Sequence, residues 1–172
     1  MNFDWNKSSK EDYKKFNKWH KTLNDKYGEN KNAYTKYIAS SGCLIGDLLE
    51  VICEDSPVTD CYTALQNGNA VGFSMITVDV VNGKYVADVE VLAVNPEIQT
   101  KGIGTAMVFD IVKGCKTITK KPVSKITAKI HETNLASKRV FEKNNFNKEP
   151  KKATKSISSY DDYSINLDEL GK

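Results

Sequence analysis

Apolar side chains recur at every third or fourth position near the start of the chain. The apolar stripe in 11–28 consists of Tyr13, Phe16, Trp19, Leu23 and Tyr27. This spacing predicts an amphipathic helix that ends at Gly28. Ser8 followed three residues later by Glu11 is typical of a capping box at the start of such a helix.

From residue 60 onward the pattern changes to alternating apolar and polar positions. The runs 61–66, 70–81 and 85–94 are rich in β-branched and aromatic residues, which favour strands. Asn-Gly pairs at 67–68 and 82–83 separate them, and this pair is the strongest short signal for a tight hairpin turn. The region therefore predicts a three-stranded meander.

The rest of the chain alternates between helix and strand patterns. The remaining predicted elements are a strand at 3–5, a helix at 43–55, a helix at 102–118, a strand at 124–130, a helix at 135–145 and an antiparallel pair at 146–152 and 156–167. Thr133 or Asn134 can cap the third of these helices. This order predicts a mixed α/β or α+β fold with one sheet. We expect a single domain over 1–172, with a variable helical region at 1–58 and a sheet core at 60–167.

Composition narrows the class of protein. No stretch is long and apolar enough to span a membrane, and the N-terminus does not resemble a secretion signal. The four cysteines form no CxxC pair and there are only two histidines, so we expect no structural zinc site, no disulfide framework and a cytoplasmic location. The net charge of +3, with Arg139 as the only arginine, argues against a nucleic-acid partner.

The stretch NPEIQTKGIGTAM at 95–107 places glycines directly before a predicted helix. A helix N-terminus exposes unpaired N–H groups at the positive end of its dipole, and glycine lets an anion approach that backbone closely. Gln99 can donate through its amide, and Lys101 adds positive charge. The spacing matches neither the P-loop nor the dinucleotide-binding fingerprint, so 99–104 indicates a different kind of diphosphate site.

Two linked motifs carry a family resemblance. VEVLAVNPEIQTKGIGTAM resembles the acetyl-CoA-binding motif of the GNAT superfamily of N-acyltransferases, with Pro96, Gln99, Gly102 and Gly104 at the motif positions. NLASKRVFEKNNF at 134–146 resembles the second motif of that superfamily, in the variant found in ribosomal-protein N-terminal acetyltransferases.

The resemblance implies a twisted, mostly antiparallel sheet flanked by helices, with acetyl-CoA as co-substrate and no metal. It implies that 88–94 diverges from its neighbouring strand. It also implies that Asn134 contacts the pantetheine arm and that Ser137 reaches the thioester or the cofactor, although a helix cap and a solvated residue are the simpler interpretations. The residues implied to bind the cofactor through their backbones are Leu92, Ala93 and Val94 for pantetheine, and Gln99, Thr100, Lys101, Gly102, Ile103, Gly104 and Thr105 for pyrophosphate.

The strand ADVEVLAV supplies two candidate bases for deprotonating an amine. Asp88 and Glu90 are two residues apart, so in a regular strand they share a face at roughly 6.6 Å along the chain. In a partly buried cleft, desolvation and mutual repulsion raise the pKa of at least one of them. Glu90 is preferred because it lies nearer the thioester end, and a solvated polar face is the alternative.

Phe141 departs from the family pattern, because many members have a tyrosine there that protonates the leaving thiolate. Ser137, water or the amine can take that role, and Phe141 itself is expected to pack in the core.

The leading hypothesis is an acetyl-CoA-dependent N-acetyltransferase, monomeric or homodimeric, acting on a primary amine. The acceptor stays open between a protein N-terminus and a small molecule such as a polyamine or aminoglycoside. The alternatives are a non-catalytic acyl-CoA-binding module and a transferase toxin acting on aminoacyl-tRNA.

Overall fold

The computed structural model describes residues 1–27, 58–98, 102–150 and 159–170. Within them, the strands are β1 (Asp4–Lys7), β2 (Thr59–Gln66), β3 (Asn69–Val81), β4 (Lys84–Val94), β5 (Val123–His131), β6 (Asn147–Lys148) and β7 (Tyr160–Asn166). The helices are α1 (Lys10–Tyr27), α2 (Ile103–Thr119), α3 (Leu135–Glu142) and a 3₁₀ turn at Leu167–Glu169. The helix predicted at 43–55 lies outside the described residues.

The seven strands form one sheet in the order β1-β2-β3-β4-β5-β7-β6. Neighbouring strands are antiparallel except β4 and β5, which are parallel. Both Asn-Gly turns are present, and Asn67, Gly68, Asn82 and Gly83 all have φ between 51° and 76°. Left-handed φ at both central residues is the geometry of the turn that matches the twist of two paired strands, so the predicted meander is confirmed.

The helices pack on opposite faces of the sheet. Val108 and Ile111 of α2 and Phe141 of α3 join a buried cluster with Ile126 and Ile130 of β5. We call this side the α2 face. On the other side, which we call the α1 face, Tyr13 and Phe16 of α1 pack against Cys61 and Phe73. The rings of Phe16 and Phe73 are stacked with their centroids 4.5 Å apart.

The helix cap predicted at Ser8 and Glu11 is wrong by one residue. The N–H and hydroxyl of Ser9 donate to Asp12 Oδ2 at 2.9 and 2.8 Å, and the Asp12 N–H points back to Ser9 Oγ at 3.4 Å. Ser8 instead bonds Thr63 Oγ1 on β2 at 2.8 Å. A serine followed three residues later by an acidic residue occurs twice, as Ser8 with Glu11 and as Ser9 with Asp12. The pairing of β1 with β2 places Ser8 against Thr63, so Ser9 forms the cap.

The helix predicted to run to residue 145 ends at Glu142. Asn145 has φ 63°, its N–H donates to the Glu142 carbonyl at 3.0 Å, and the N–H of Phe146 donates to the Phe141 carbonyl at 3.2 Å. These two bonds and the contact of the Phe141 and Phe146 rings form a Schellman motif. Asparagine tolerates the left-handed conformation, so it can stop a helix where glycine usually does.

The cysteines differ from the sequence expectation. Cys61 is fully buried and disulfide-bonded. Cys115 is a free, buried thiol whose pKa is raised to about 11 by burial. In the part of the chain that the structure describes, no helix is long and apolar enough to cross a membrane.

Candidate functional site

Strands β4 and β5 separate part-way along their length. Their parallel ladder runs from Tyr85 opposite Val123 to Asp88 opposite Thr127 and stops there. The ladder between β4 and β3 continues to Val94. Residues 89–94 therefore have β3 on one side and no ladder partner from β5 on the other, which confirms the predicted divergence and leaves an open strand edge.

A β-bulge at Glu90 coincides with this separation. Met75 lies opposite Val91 and the next residue of β3, Ile76, lies opposite Val89, so Glu90 is the extra residue. The bulge reverses the alternation of the strand: Val89 packs on the α2 face and Val91 on the α1 face. Beyond it, Leu92 packs on the α2 face. The regular strand expected from the sequence is interrupted at the candidate base.

Asp88 and Glu90 both lie on the α1 face. Asp88 accepts a hydrogen bond from Thr127 Oγ1 at 2.8 Å. Glu90 interacts with Thr77, which lies directly opposite Asp88 on β3. Partial burial of its carboxyl group and the neighbouring Asp88 charge raise the pKa of Glu90, while Lys129 opposes the shift. The two carboxylates therefore lie where the open edge begins, and the pKa of Glu90 is raised there.

The N-terminus of α2 has the features of an anion site. Gly102 precedes it with φ 77°, no side chain caps it, and its first turn holds no acidic residue. The first hydrogen bond of the helix runs from the Ala106 N–H to the Gly102 carbonyl at 3.0 Å. The N–H groups of residues 103–105 therefore come before the first hydrogen bond within the helix. The predicted residues Gln99, Thr100 and Lys101 lie outside the described residues.

Gly104 lies where α2, β4 and α3 meet. A Cβ added at Gly104 would be 3.5 Å from Val94 Cγ2 and 3.7 Å from Val140 Cγ2, both ordinary contacts. Asn144, at the end of α3, donates from Nδ2 to the carbonyl oxygens of Thr105 at 3.0 Å and Val140 at 2.8 Å. This buried amide attaches α3 to the first turn of α2. The sequence pattern offered no signal for its role, because an asparagine after a helix ordinarily marks only a turn.

Asn134 and Ser137 form a reciprocal cap at the start of α3. The Ser137 N–H donates to Asn134 Oδ1 at 3.0 Å, and Asn134 Nδ2 donates to Ser137 Oγ at 2.7 Å. The capping interpretation of Asn134 is thus confirmed. Because the hydroxyl of Ser137 accepts this bond, its own hydrogen can be donated to another group.

Asp161 is the carboxylate of a buried ion cluster. Lys138 Nζ and Lys148 Nζ lie 2.6 and 2.8 Å from Asp161 Oδ2, and Asp161 is only 2% exposed. The hydrogen bonds from Lys138 and then Lys148 lower the pKa of Asp161 to about 2. These contacts show that α3 packs Lys138 onto β7.

Phe141 is 3% exposed and its ring meets that of Phe146 edge-on at 4.9 Å. Its predicted place in the core is confirmed.

A cavity of about 560 Å³ has Asn144 in its lining but none of Asp88, Glu90 and the first-turn residues of α2. Its lining includes Phe109 and Lys113 of α2, Ile165 at the end of β7, and Leu170. Because β7 runs antiparallel to β5, its C-terminal end lies at the opposite end of the sheet from the open edge of β4. The cavity is therefore separate from the candidate site.

Comparison with known proteins agrees with this geometry. Residues 10–146 match the profile of the acetyltransferase (GNAT) family. A sequence search found no match among functionally curated proteins.

Several solved structures share the fold. The PaiA N-acetyltransferase from Thermoplasma acidophilum, crystallised with coenzyme A, is 19% identical with a TM-score of 0.68 over 96% of this chain and 99% of that one. PseH from Campylobacter jejuni, crystallised with acetyl coenzyme A, is 14% identical with a TM-score of 0.60 over 96% and 99% of the two chains. Spermidine N-acetyltransferase from Vibrio cholerae, in complex with CoA and spermine, is 12% identical with a TM-score of 0.64 over 96% of each chain. With the profile covering most of the sequence and the open β4 edge beside an uncapped helix, the chain belongs to the acetyltransferase (GNAT) family.

Proposed function

We propose that this acetyl-CoA-dependent enzyme acetylates a primary amine bound on the α1 face of the sheet, with Glu90 as the base. The observation that carries the proposal is the position of Glu90. It is a carboxyl group of raised pKa in a bulge, at the point where β4 loses its β5 partner. A carboxyl group of raised pKa is a candidate for proton transfer, and this one lies beside the open strand edge.

The described residues fit the cofactor in two places. The open edge of β4 at Leu92, Ala93 and Val94 offers backbone groups to the pantetheine arm, as an added strand would. The N-terminus of α2, with Gly102, Ile103, Gly104 and Thr105, offers N–H groups to the pyrophosphate. Gln99, Thr100 and Lys101 precede this helix and complete the proposed site. Bound acetyl-CoA supplies the activated acetyl thioester.

Two glycines of α2 provide a matched test of the pyrophosphate site. A Cβ at Gly104 meets its nearest neighbours at 3.5 and 3.7 Å, and a Cβ at Gly114 meets Ile118 at the same two distances. We expect Gly104→Ala to weaken acetyl-CoA binding several-fold in calorimetry, because the new methyl group hinders approach to the first-turn amides. Gly114→Ala should leave binding unchanged and stabilise the fold by about 0.5–1 kcal/mol. Equal affinity of both variants for acetyl-CoA would show that the pyrophosphate does not bind at the N-terminus of this helix.

The main barrier to the reaction is that the acceptor amine is protonated, and Glu90 is the group proposed to accept that proton. An ammonium with a pKa of about 10.4 is neutral at pH 7 at a cost of about 4.6 kcal/mol. A carboxylate of raised pKa accepts the proton more readily than an ordinary one. Asp88 is the second carboxylate of the pair and provides a fixed negative charge beside Glu90.

Ser137 is the proposed donor to the leaving thiolate. Phe141 has no proton to give, whereas the Ser137 hydroxyl accepts from Asn134 and keeps its hydrogen for another acceptor. Asn134 thereby orients Ser137 at the start of α3, in addition to capping the helix.

Steady-state assays of free CoA release test these roles. We expect Glu90→Gln to lower kcat/KM by 10²-fold or more, a typical loss for a general base, while acetyl-CoA affinity stays at the wild-type value. Ser137→Ala should lower kcat at high pH, where water and the amine are poorer proton donors. Undiminished kcat/KM in Glu90→Gln would exclude Glu90 as the base.

We propose a small cationic amine as the acceptor. Asp79, Asp88 and Glu90 face the same region of the sheet, and this negative charge favours a cation. The structural neighbour from Vibrio cholerae that is in complex with spermine has the same fold. The ribosomal-type motif at 134–137 favours a second candidate, a protein N-terminus.

A panel of spermidine, spermine, an aminoglycoside and peptides with free N-termini separates the two acceptor classes. We expect the highest kcat/KM for a polyamine, and a strong decrease of that value with salt. Preference for the peptides would favour the ribosomal-type assignment. Tight acetyl-CoA binding with no turnover of any amine would favour a non-catalytic acyl-CoA-binding module.

A further inference from the structure

Thr127 lies at the point where β4 and β5 part. It is opposite Asp88 in the last pair of their ladder. Its neighbours Ile126 and Ala128 are buried on the α2 face, so Thr127 points to the α1 face. Its hydroxyl lies 2.8 Å from Asp88 Oδ1 and 3.5 Å from the Ala87 carbonyl oxygen, so the carboxylate is the better acceptor.

We propose that Thr127 is a positioning residue that holds the Asp88 carboxylate beside Glu90, so that the negative charge of Asp88 supports Glu90 as the group that accepts the substrate proton. This inference rests on the proposed function of Glu90 and assigns separate roles to the two carboxylates.

The physical basis is the difference between the two carboxyl groups. The Thr127 hydroxyl donates to Asp88 Oδ1 and restricts the rotation of this side chain, which fixes the position of its negative charge. That charge opposes the ionisation of Glu90 and makes Glu90 more basic. Placing a fixed charge beside a titrating carboxyl is a general way to obtain one acid and one base from two like groups.

Several other groups act on Glu90 from the surrounding strands. Asp79 on β3 raises its pKa in the same direction as Asp88, and Lys129 on β5 lowers it. Asp162 on β7 lies opposite Lys129 in the β5–β7 ladder. None of these groups changes in a Thr127 variant, so the contribution of the Thr127–Asp88 bond can be isolated.

The test compares Thr127→Val, Thr127→Ser and Asp88→Asn with the wild type. Valine keeps the β-branched shape and removes the hydroxyl, whereas serine keeps the hydroxyl. The ionisation of Glu90 is followed by ¹³C NMR of its side-chain carboxyl carbon, which requires no acceptor. The pH profile of kcat/KM is then measured with an active amine from the panel.

We expect Asp88→Asn to move the Glu90 midpoint to lower pH, because the neighbouring negative charge is gone. Thr127→Val should move it in the same direction by a smaller amount. The reason is that Asp88 without its donor keeps its charge but is free to rotate away from Glu90. Thr127→Ser should coincide with the wild type.

Two outcomes would overturn the inference. A Thr127→Val profile that coincides with that of the wild type would show that the hydroxyl has no effect, and equal shifts in Thr127→Val and Thr127→Ser would indicate a packing effect. Failure of the base assignment is distinguishable, because it appears as undiminished activity of Glu90→Gln whatever the Thr127 variants show.

Discussion

Asp161 is the group whose loss we expect to destabilise the protein most clearly. It is buried on β7 with Lys138 of α3 and Lys148 of β6 on one carboxylate oxygen. The cluster therefore connects three elements, including the helix that begins with Asn134 and Ser137. The perturbation is Asp161→Asn, which keeps the shape of the side chain and removes its charge.

The size of the effect follows from the pKa of Asp161, which falls from an ordinary 3.8 to about 2. At about 1.36 kcal/mol per pH unit this shift corresponds to about 2.4 kcal/mol. The Lys148 side chain is 49% exposed, so its share is reduced by solvent, whereas the Lys138 side chain is only 15% exposed. Because Asp161→Asn also leaves Lys138 without its carboxylate, we expect a total loss of about 2–4 kcal/mol.

The pH dependence has a definite sign. The pKa of Asp161 is lower in the folded protein than in the unfolded chain, so its stabilisation is complete above about pH 4. It is lost as the pH falls toward about 2, where the folded carboxylate is protonated. The wild type should therefore lose more stability between pH 4 and pH 2 than Asp161→Asn does.

Urea unfolding, followed by circular dichroism at pH 7, 4 and 2.5, measures both effects. Asp162→Asn is the matched control, because Asp162 is the next residue of the same strand and is exposed. We expect it to change the free energy of unfolding by less than about 0.5 kcal/mol. A loss in Asp161→Asn no larger than in Asp162→Asn would refute the reasoning, as would an equal acid response of Asp161→Asn and wild type.

The remaining predictions concern local backbone and packing, and all are checked by thermal or urea unfolding. Asn145→Ala should destabilise the protein by about 1 kcal/mol, because alanine disfavours the φ of 63° that ends α3, whereas Asn145→Gly should be neutral or stabilising. Gly72→Ala should cost about 1–3 kcal/mol, because its Cβ would lie only 2.3 Å from the sulfur of the buried Met107. Ser9→Ala should cost about 1 kcal/mol through loss of its bond to Asp12 at the start of α1, while retained stability would show that the cap contributes nothing.

Local chemistry was enough to predict much of the fold. The Asn-Gly turns require left-handed backbone, and the structure has it at Asn67, Gly68, Asn82 and Gly83. The apolar stripe of 103–118 predicted α2, because that stripe can only be buried as a helix face. Asn134 was recognisable as a cap for a similar reason, since the bond between it and Ser137 spans three residues.

The capping box shows the limit of such local reasoning. Two registers satisfied the same pattern, and the pairing of Ser8 with Thr63 on β2, a residue far away in the chain, decided between them. The ion cluster at Asp161 could not be predicted for the same reason, because its two lysines come from α3 and β6 and only packing brings them together.

The candidate site depends most on long-range pairing. By itself the sequence determined that a strand with Asp88 and Glu90 leads to glycines at the mouth of a helix. Only the tertiary structure decided that Glu90 lies in a bulge, that the β5 ladder stops at Thr127, and that the Thr127 hydroxyl binds Asp88. A bulge and the end of a ladder are properties of two strands together, so the residues of one strand cannot specify them. The periodicity of β4 therefore predicted two carboxylates on one face of a regular strand, whereas its pairing with β3 and β5 placed Glu90 in a bulge and Asp88 opposite Thr127.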